Sequence, residues 1–253
     1  MTLLAVERIK LLSTRSPWWC ALTALLLTGG FTALVVSQSN AQFPATVSAT
    51  QYAYSFGMAV IMVLATLAVT TEYRFGTIRT TFQAVPNRAA ALSAKAAVIA
   101  LVALVIGEIM AFLPWGLATL IQPEADLALN STADWINVAG VGPACALAAV
   151  VAMAVGILVR HSAGAISLVL IYFLAAENLV TLIPGIGADI FKWLPFNVLH
   201  KFVTGNGESA NGATYGQPLS TSTLSPWWAL AYFAAFAVVL LAISIVTARK
   251  RDA

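Results

Sequence analysis

Charge is scarce in this chain. Asp, Glu, Lys and Arg make up 9% of its 253 residues, against about 25% in an ordinary soluble domain. Thirteen basic and ten acidic side chains cannot cover a water-facing surface, which excludes a soluble globule, and a 60% hydrophobic content excludes disorder. Cysteine occurs twice. Cys20 and Cys145 both fall in apolar stretches, where they read as small packing residues and define no disulfide framework. Histidine also occurs twice, and His161 and His200 fall at opposite membrane faces, too far apart for a shared site. The chain has no H-E-x-x-H, no G-x-S-x-G and no G-x-x-x-x-G-K-[ST], so it carries no recognisable catalytic or phosphate-loop motif of its own. Gly185-Ile186-Gly187-Ala188-Asp189 is one residue longer than the G-x-G-D of intramembrane aspartyl proteases, and no span supplies a second aspartate. A net charge of +3 comes from dispersed bases without a long run, which argues against nucleic acid as a partner.

What is present is hydrocarbon. Apolar stretches at 18–36, 52–71, 96–121, 138–159, 163–183 and 227–246 are each long enough to cross a core of about 30 Å as a helix. No alternating barrel pattern occurs, so the expected fold is all-α with six spans in a single transmembrane domain covering 1–253. The first apolar run is longer than a signal-peptide core and is read as a span. Assigning loops to sides places 11 of the 13 Lys and Arg on one face, with only Lys192 and Lys201 on the other. The positive-inside rule then predicts cytoplasmic termini in a multi-pass cell-membrane protein. Two spans open with Ser-Pro-Trp-Trp, at Ser16 and Ser225, a pattern explained by capping and interfacial tryptophan. Gly140, Ala144, Ala148, Ala152 and Gly156 recur at every fourth position and predict a smooth, central fourth span.

The loops are more specific. Residues 1–16 place Ala5, Val6, Ile9 and Leu12 on one helical face and Glu7, Arg8, Lys10 and Arg15 mostly on the other, the pattern of an interfacial helix against membrane lipids. A plain basic flank is the alternative. In the 72–95 loop, Phe75, Ile78, Phe82 and Val85 form a narrow helical stripe flanked by Arg74 and Arg79, and Pro86 ends it. Such a helix suits a partner's groove, the alternative being aromatics that dip into the headgroup layer. The outer loop 184–225 divides into an apolar half, expected to be partly re-entrant, and a Gly-, Asn- and Ser-rich half from Thr204 to Ser225, expected to be mobile.

Glu72, then Gly76-Thr77-Ile78-Arg79, then Pro86-Asn87-Arg88 and Lys95, together with the six-span layout, resemble the second-to-third-span loop of type-2 ABC exporter permeases. The resemblance implies an N-terminal interfacial helix and a coupling helix that docks on a separate ATP-binding cassette subunit. The coupling residues would be Glu72, Arg74, Phe75, Ile78, Arg79, Phe82 and Val85. It further implies a dimer with a second permease copy or a sister permease, efflux as the activity, and ATP and Mg in the partner ATPase with no cofactor in this chain.

Glu108 and Glu177 are the only charged residues inside the predicted spans. A charge at the bilayer centre costs roughly 2.5–3.5 kcal/mol on insertion scales, which a long apolar span tolerates. Glu177 with Asn178, and secondarily Glu108, are candidates for the cargo path; a hydrogen-bonded glutamate packing the bundle is the competing reading. Two other classes remain open from sequence: an ion-coupled secondary carrier using Glu108 and Glu177, and a non-transporting membrane scaffold.

Overall fold

A computed structural model of the chain describes residues 2–40, 42–85, 87–207 and 217–251. It is helical throughout, with no strand among the described residues. Six helical segments are long and apolar enough to cross a membrane: Ser16–Ser37, Val47–Arg74, Arg88–Ile121, Thr132–Val159, Ser162–Val180 and Pro226–Arg251. The short helix α1 (Leu3–Leu12) precedes the first span, α2 (Ser16–Ser37). The second consists of α3 (Val47–Thr50) and α4 (Tyr54–Arg74), and α5 (Thr77–Ala84) links it to the third, α6 (Arg88–Ile121). The fourth is α7 (Thr132–Ala139) and α8 (Val141–Val159). The fifth is α9 (Ser162–Ile171), a π turn at Tyr172–Ala176 and α10 (Glu177–Val180). Beyond it come α11 (Gly187–Phe191), α12 (Pro195–Thr204) and the sixth span, α13 (Pro226–Arg251).

The fourth span is the centre of the bundle, with α8 packed on α4, α6, α9 and α13. Ala144, Ala148 and Ala152 are fully buried, as their four-residue spacing predicts. Small residues let backbones approach closely where no hydrophobic effect drives helices together. A Cβ on Gly107 would lie 2.9 Å from the Cα of Gly142, so α6 and α8 nearly touch there. On Gly156 it would meet Val69 of α4 at 2.7 Å. The fourth span is 72% buried within the chain and the fifth only 17%, which leaves the fifth facing outward over most of its length.

Span boundaries differ from the sequence reading, most at the third span. The third span begins at Arg88, capped by the Asn87 side chain accepting from the Ala90 N–H at 3.1 Å, and Lys95 therefore lies inside a helix. A hydropathy window stops at this lysine although the backbone continues. The fifth span ends as a helix at Val180 after its π turn. The apolar half of the last loop forms α11 and α12, and α12 is buried along almost its whole length against α13 and α7. Pro86, expected to end the coupling helix, and residues 208–216 of the loop expected to be mobile lie outside the described residues.

Close approach at α6 and α8 makes a paired test. Gly107→Val drives a branched side chain into the Gly142 backbone and should destabilise the purified protein by about 1–3 kcal/mol. Gly116→Ala, in the same helix with open space around it, should be neutral or stabilise by up to about 1 kcal/mol. Thermal unfolding in detergent distinguishes the two.

Candidate functional site

On the face that carries α1 and the end of α13, four charged side chains from three helices form one cluster. The Lys95 ammonium donates to Glu7 and to Glu72 Oε1, the latter at 2.8 Å. Lys10 Nζ donates to Glu7 Oε1 at 2.9 Å and lies 3.7 Å from Glu72 Oε1. Glu7 and Lys95 are buried, and Glu72 nearly so. Two acids and two bases cancel, which lets so polar a group sit inside the protein. Burial pushes the Glu7 carboxyl up, but Lys95 and Lys10 outweigh it and hold it below the ordinary carboxylate range.

Local structure explains how the partners meet. Glu7 and Lys10 are one turn apart on α1 and share its inward side. That corrects the sequence assignment of Glu7 to the outer polar face of α1: Glu7 is the helix's one buried residue, while Leu4, Ile9 and Leu12 are exposed. Glu72 closes α4, and Lys95 sits two turns into α6. Lys10 Nζ also donates to Thr81 Oγ1 of α5 at 3.0 Å, so the cluster holds α1, α4, α5 and α6 together. A cavity of about 540 Å3, lined by Glu7, Lys10, Glu72, Lys95 and several threonines, opens beside it.

The predicted stripe from Phe75 to Val85 is not one helical face. Gly76 adopts a left-handed conformation (φ 72°), which ends α4 and starts α5 as a separate helix. Phe75, before this break, is 72% exposed, with the Arg74 guanidinium 5.5 Å from its ring centre. After it, Ile78 is buried, and Phe82 and Val85 are half-buried, Phe82 packing on the core beneath Arg88. Three of the four stripe residues therefore face the chain itself, where burying them holds α5 down. Outward, α5 presents Thr77, Arg79, Thr80 and Gln83, all exposed. Glu72, grouped with the coupling residues from the sequence, points instead into the ion cluster.

The two candidate cargo-path acids separate. Glu177 is buried, and its Oε1 and Oε2 accept from the backbone N–H groups of Phe196 and Asn197 at 3.0 and 2.9 Å. It serves as an external cap for the first turn of α12, where unpaired donors and the helix dipole favour a carboxylate. Asn178 beside it is exposed and donates to the Leu174 carbonyl at 3.4 Å. Glu108 is half-buried in mid-span, its carboxylate resting in the notch left by Gly142. The two acids share no site. Further along α12, His200 ties the helix to its surroundings: its Nδ1 lies 2.6 Å from the Tyr54 hydroxyl and its Nε2 2.7 Å from the Pro218 carbonyl.

No group of three or more His, Cys, Asp or Glu able to hold a metal occurs among the described residues. In comparison with known proteins, no family model matches the chain and no curated protein matches it.

Sequence reasoning found Glu72 but missed its partnership with Glu7, Lys10 and Lys95. Its trace was there: a carboxylate ends the second span, a lysine opens the third, and a Glu-x-x-Lys pair sits on the preceding short helix. Lys95→Met should leave Glu7 and Glu72 with only the half-exposed Lys10 between them and destabilise by about 3–5 kcal/mol in thermal unfolding. In the wild type Glu7's carboxyl is lower when folded, so its contribution is complete above the ordinary carboxylate value of 4.5 and is lost as pH falls through the lower folded value. A stability that stays flat through this acid window would contradict the assignment. At the other face, Glu177→Ala leaves two buried N–H groups unpaired and should cost about 1–3 kcal/mol for each. Glu177→Gln, which keeps one acceptor oxygen, should cost less in the same measurement.

Proposed function

We propose that the chain is the membrane-spanning permease subunit of an ATP-driven exporter of the type-2 ABC kind. It works as a dimer, with itself or with a sister permease, and with separate ATP-binding subunits that use ATP and Mg. In this reading the basic face and both termini are cytoplasmic and the membrane is the cell membrane. The observation that carries it is α5: a short helix between the second and third spans whose inner side is fastened to the bundle and whose outer side, with Phe75, is open. A helix held on one side and free on the other transmits an applied force to whatever it is fastened to.

The chemistry then falls to separate chains. The partner hydrolyses ATP, and its closure moves the α4–α5–α6 hairpin. Because Lys95 and Lys10 tie that hairpin to α1, the interfacial helix moves with it as a rigid body. Spans two and three tilt, and access to the path between permeases alternates. Both oxygens of Glu177 are engaged by α12, which argues against it as a free acid in the exporter and carrier readings alike. Glu108, half-buried at mid-span beside Gly142, is then the remaining candidate for the cargo path.

Docking is tested at Phe75, whose exposure means that a polar replacement does not disturb packing. The wild-type chain should co-purify with an ATPase subunit when expressed with its neighbouring genes, and Phe75→Asp should reduce that recovery roughly tenfold while leaving thermal stability unchanged. Full recovery of the ATPase with Phe75→Asp would refute the docking role.

A further inference from the structure

A second cleft, of about 870 Å3, opens on the basic face beside α5, with Phe75 and Gln83 in its wall, and is lined by five arginines: Arg74, Arg79, Arg88, Arg160 and Arg251. No carboxylate occurs among its described lining residues. The arginines come from the end of α4, from α5, from the start of α6, from the position after α8 and from the end of α13, so the fold gathers them from across the sequence. Like charges brought together repel, and the arrangement persists only where other contacts hold it. Those contacts are present. The Arg160 guanidinium lies 5.0 Å from the Tyr73 ring centre and Arg88 lies 5.4 Å from that of Phe82. Arg88 Nη1 donates to the Arg249 carbonyl and Arg251 Nη1 to that of Leu158, each at 3.4 Å. Arg160 adopts a left-handed backbone (φ 59°), rare for a residue with a side chain and costly by about 1 kcal/mol or more.

We propose that this cleft binds the phosphate of an anionic headgroup. Guanidinium forks match phosphate oxygens in pairs, and Arg74, Arg79, Arg88 and Arg251 together supply more donors than one phosphate can accept. The position favours a lipid as the source. The cleft lies where four spans begin or end, and basic pockets between spans suit anionic lipids. A soluble phosphate ester shares the chemistry but not the location. Phe75 and Arg79 line this cleft as well, so the inference is tested at Arg88 and Arg251, away from the docking test at Phe75, and does not require the exporter reading.

The test is native mass spectrometry of the full chain in detergent, titrated with phosphatidylglycerol, phosphatidylcholine and inorganic phosphate. Phosphatidylglycerol should be retained roughly tenfold more strongly than phosphatidylcholine, and Arg88→Gln with Arg251→Gln should erase the difference. If that double variant fails to fold, the exposed Arg251→Glu alone should reduce the preference several-fold. Inorganic phosphate that displaces the lipid at equal concentration would keep the phosphate site and assign it to a soluble ligand. Equal retention of both lipids, or a preference that survives these variants, would overturn the proposal. So would variants that lose a protein partner while lipid retention is unchanged.

Discussion

One ammonium group organises the basic face of this protein. Lys95 is buried two turns inside a long apolar helix, and its charge is tolerable only because Glu7 and Glu72 reach it from two other helices. Lys10 then balances the second carboxylate, leaving the cluster neutral. Buried ion pairs rarely add net stability over a well-packed apolar alternative, because desolvation offsets most of the attraction. Their effect is conditional. Any arrangement that separates α1 from α4 or α6 strands a buried charge, so the cluster penalises wrong registers more than it rewards the right one.

That constraint explains the placement of α5. The helix is eight residues long, too short to be stable alone. It persists because Ile78 is buried and Phe82 half-buried on its inner side and because Lys10 donates to Thr81. The opposite face uses the same device with one charge. Glu177 satisfies the first turn of α12 and so holds the last loop against the bundle. Each face of the membrane domain thus has a carboxylate that fixes a short helix onto longer ones, with the small-residue fourth span as the frame between them.

The spans were legible because they depend on a local property, the length of an apolar run, and the fourth span's centrality was legible in its four-residue repeat of Gly and Ala. Helix ends were less so. Lys95 reads as a boundary on hydropathy, yet the helix continues to Arg88 because partners from elsewhere neutralise the charge. The stripe beginning at Phe75 was an artefact of projecting one helix through Gly76, whose left-handed conformation resets the phase. Glu177 had the look of a cavity acid because the donors it satisfies are backbone groups of α12, about twenty residues on, which no side-chain pattern announces. The arginine cleft was invisible for the same reason: its members are dispersed in sequence and adjacent only once four helix ends converge.

The central claim is that α1, α5 and the adjoining ends of α4 and α6 behave as one mechanical unit joined through Lys95. Hydrogen exchange on the full chain in lipid nanodiscs tests it most directly, with Lys95→Met compared against wild type. Loss of the shared ammonium should raise exchange in residues 3–12 and 77–84 together and by similar factors, while α8 is unaffected. Exchange that rises in one of these helices and leaves the other unchanged would contradict the account.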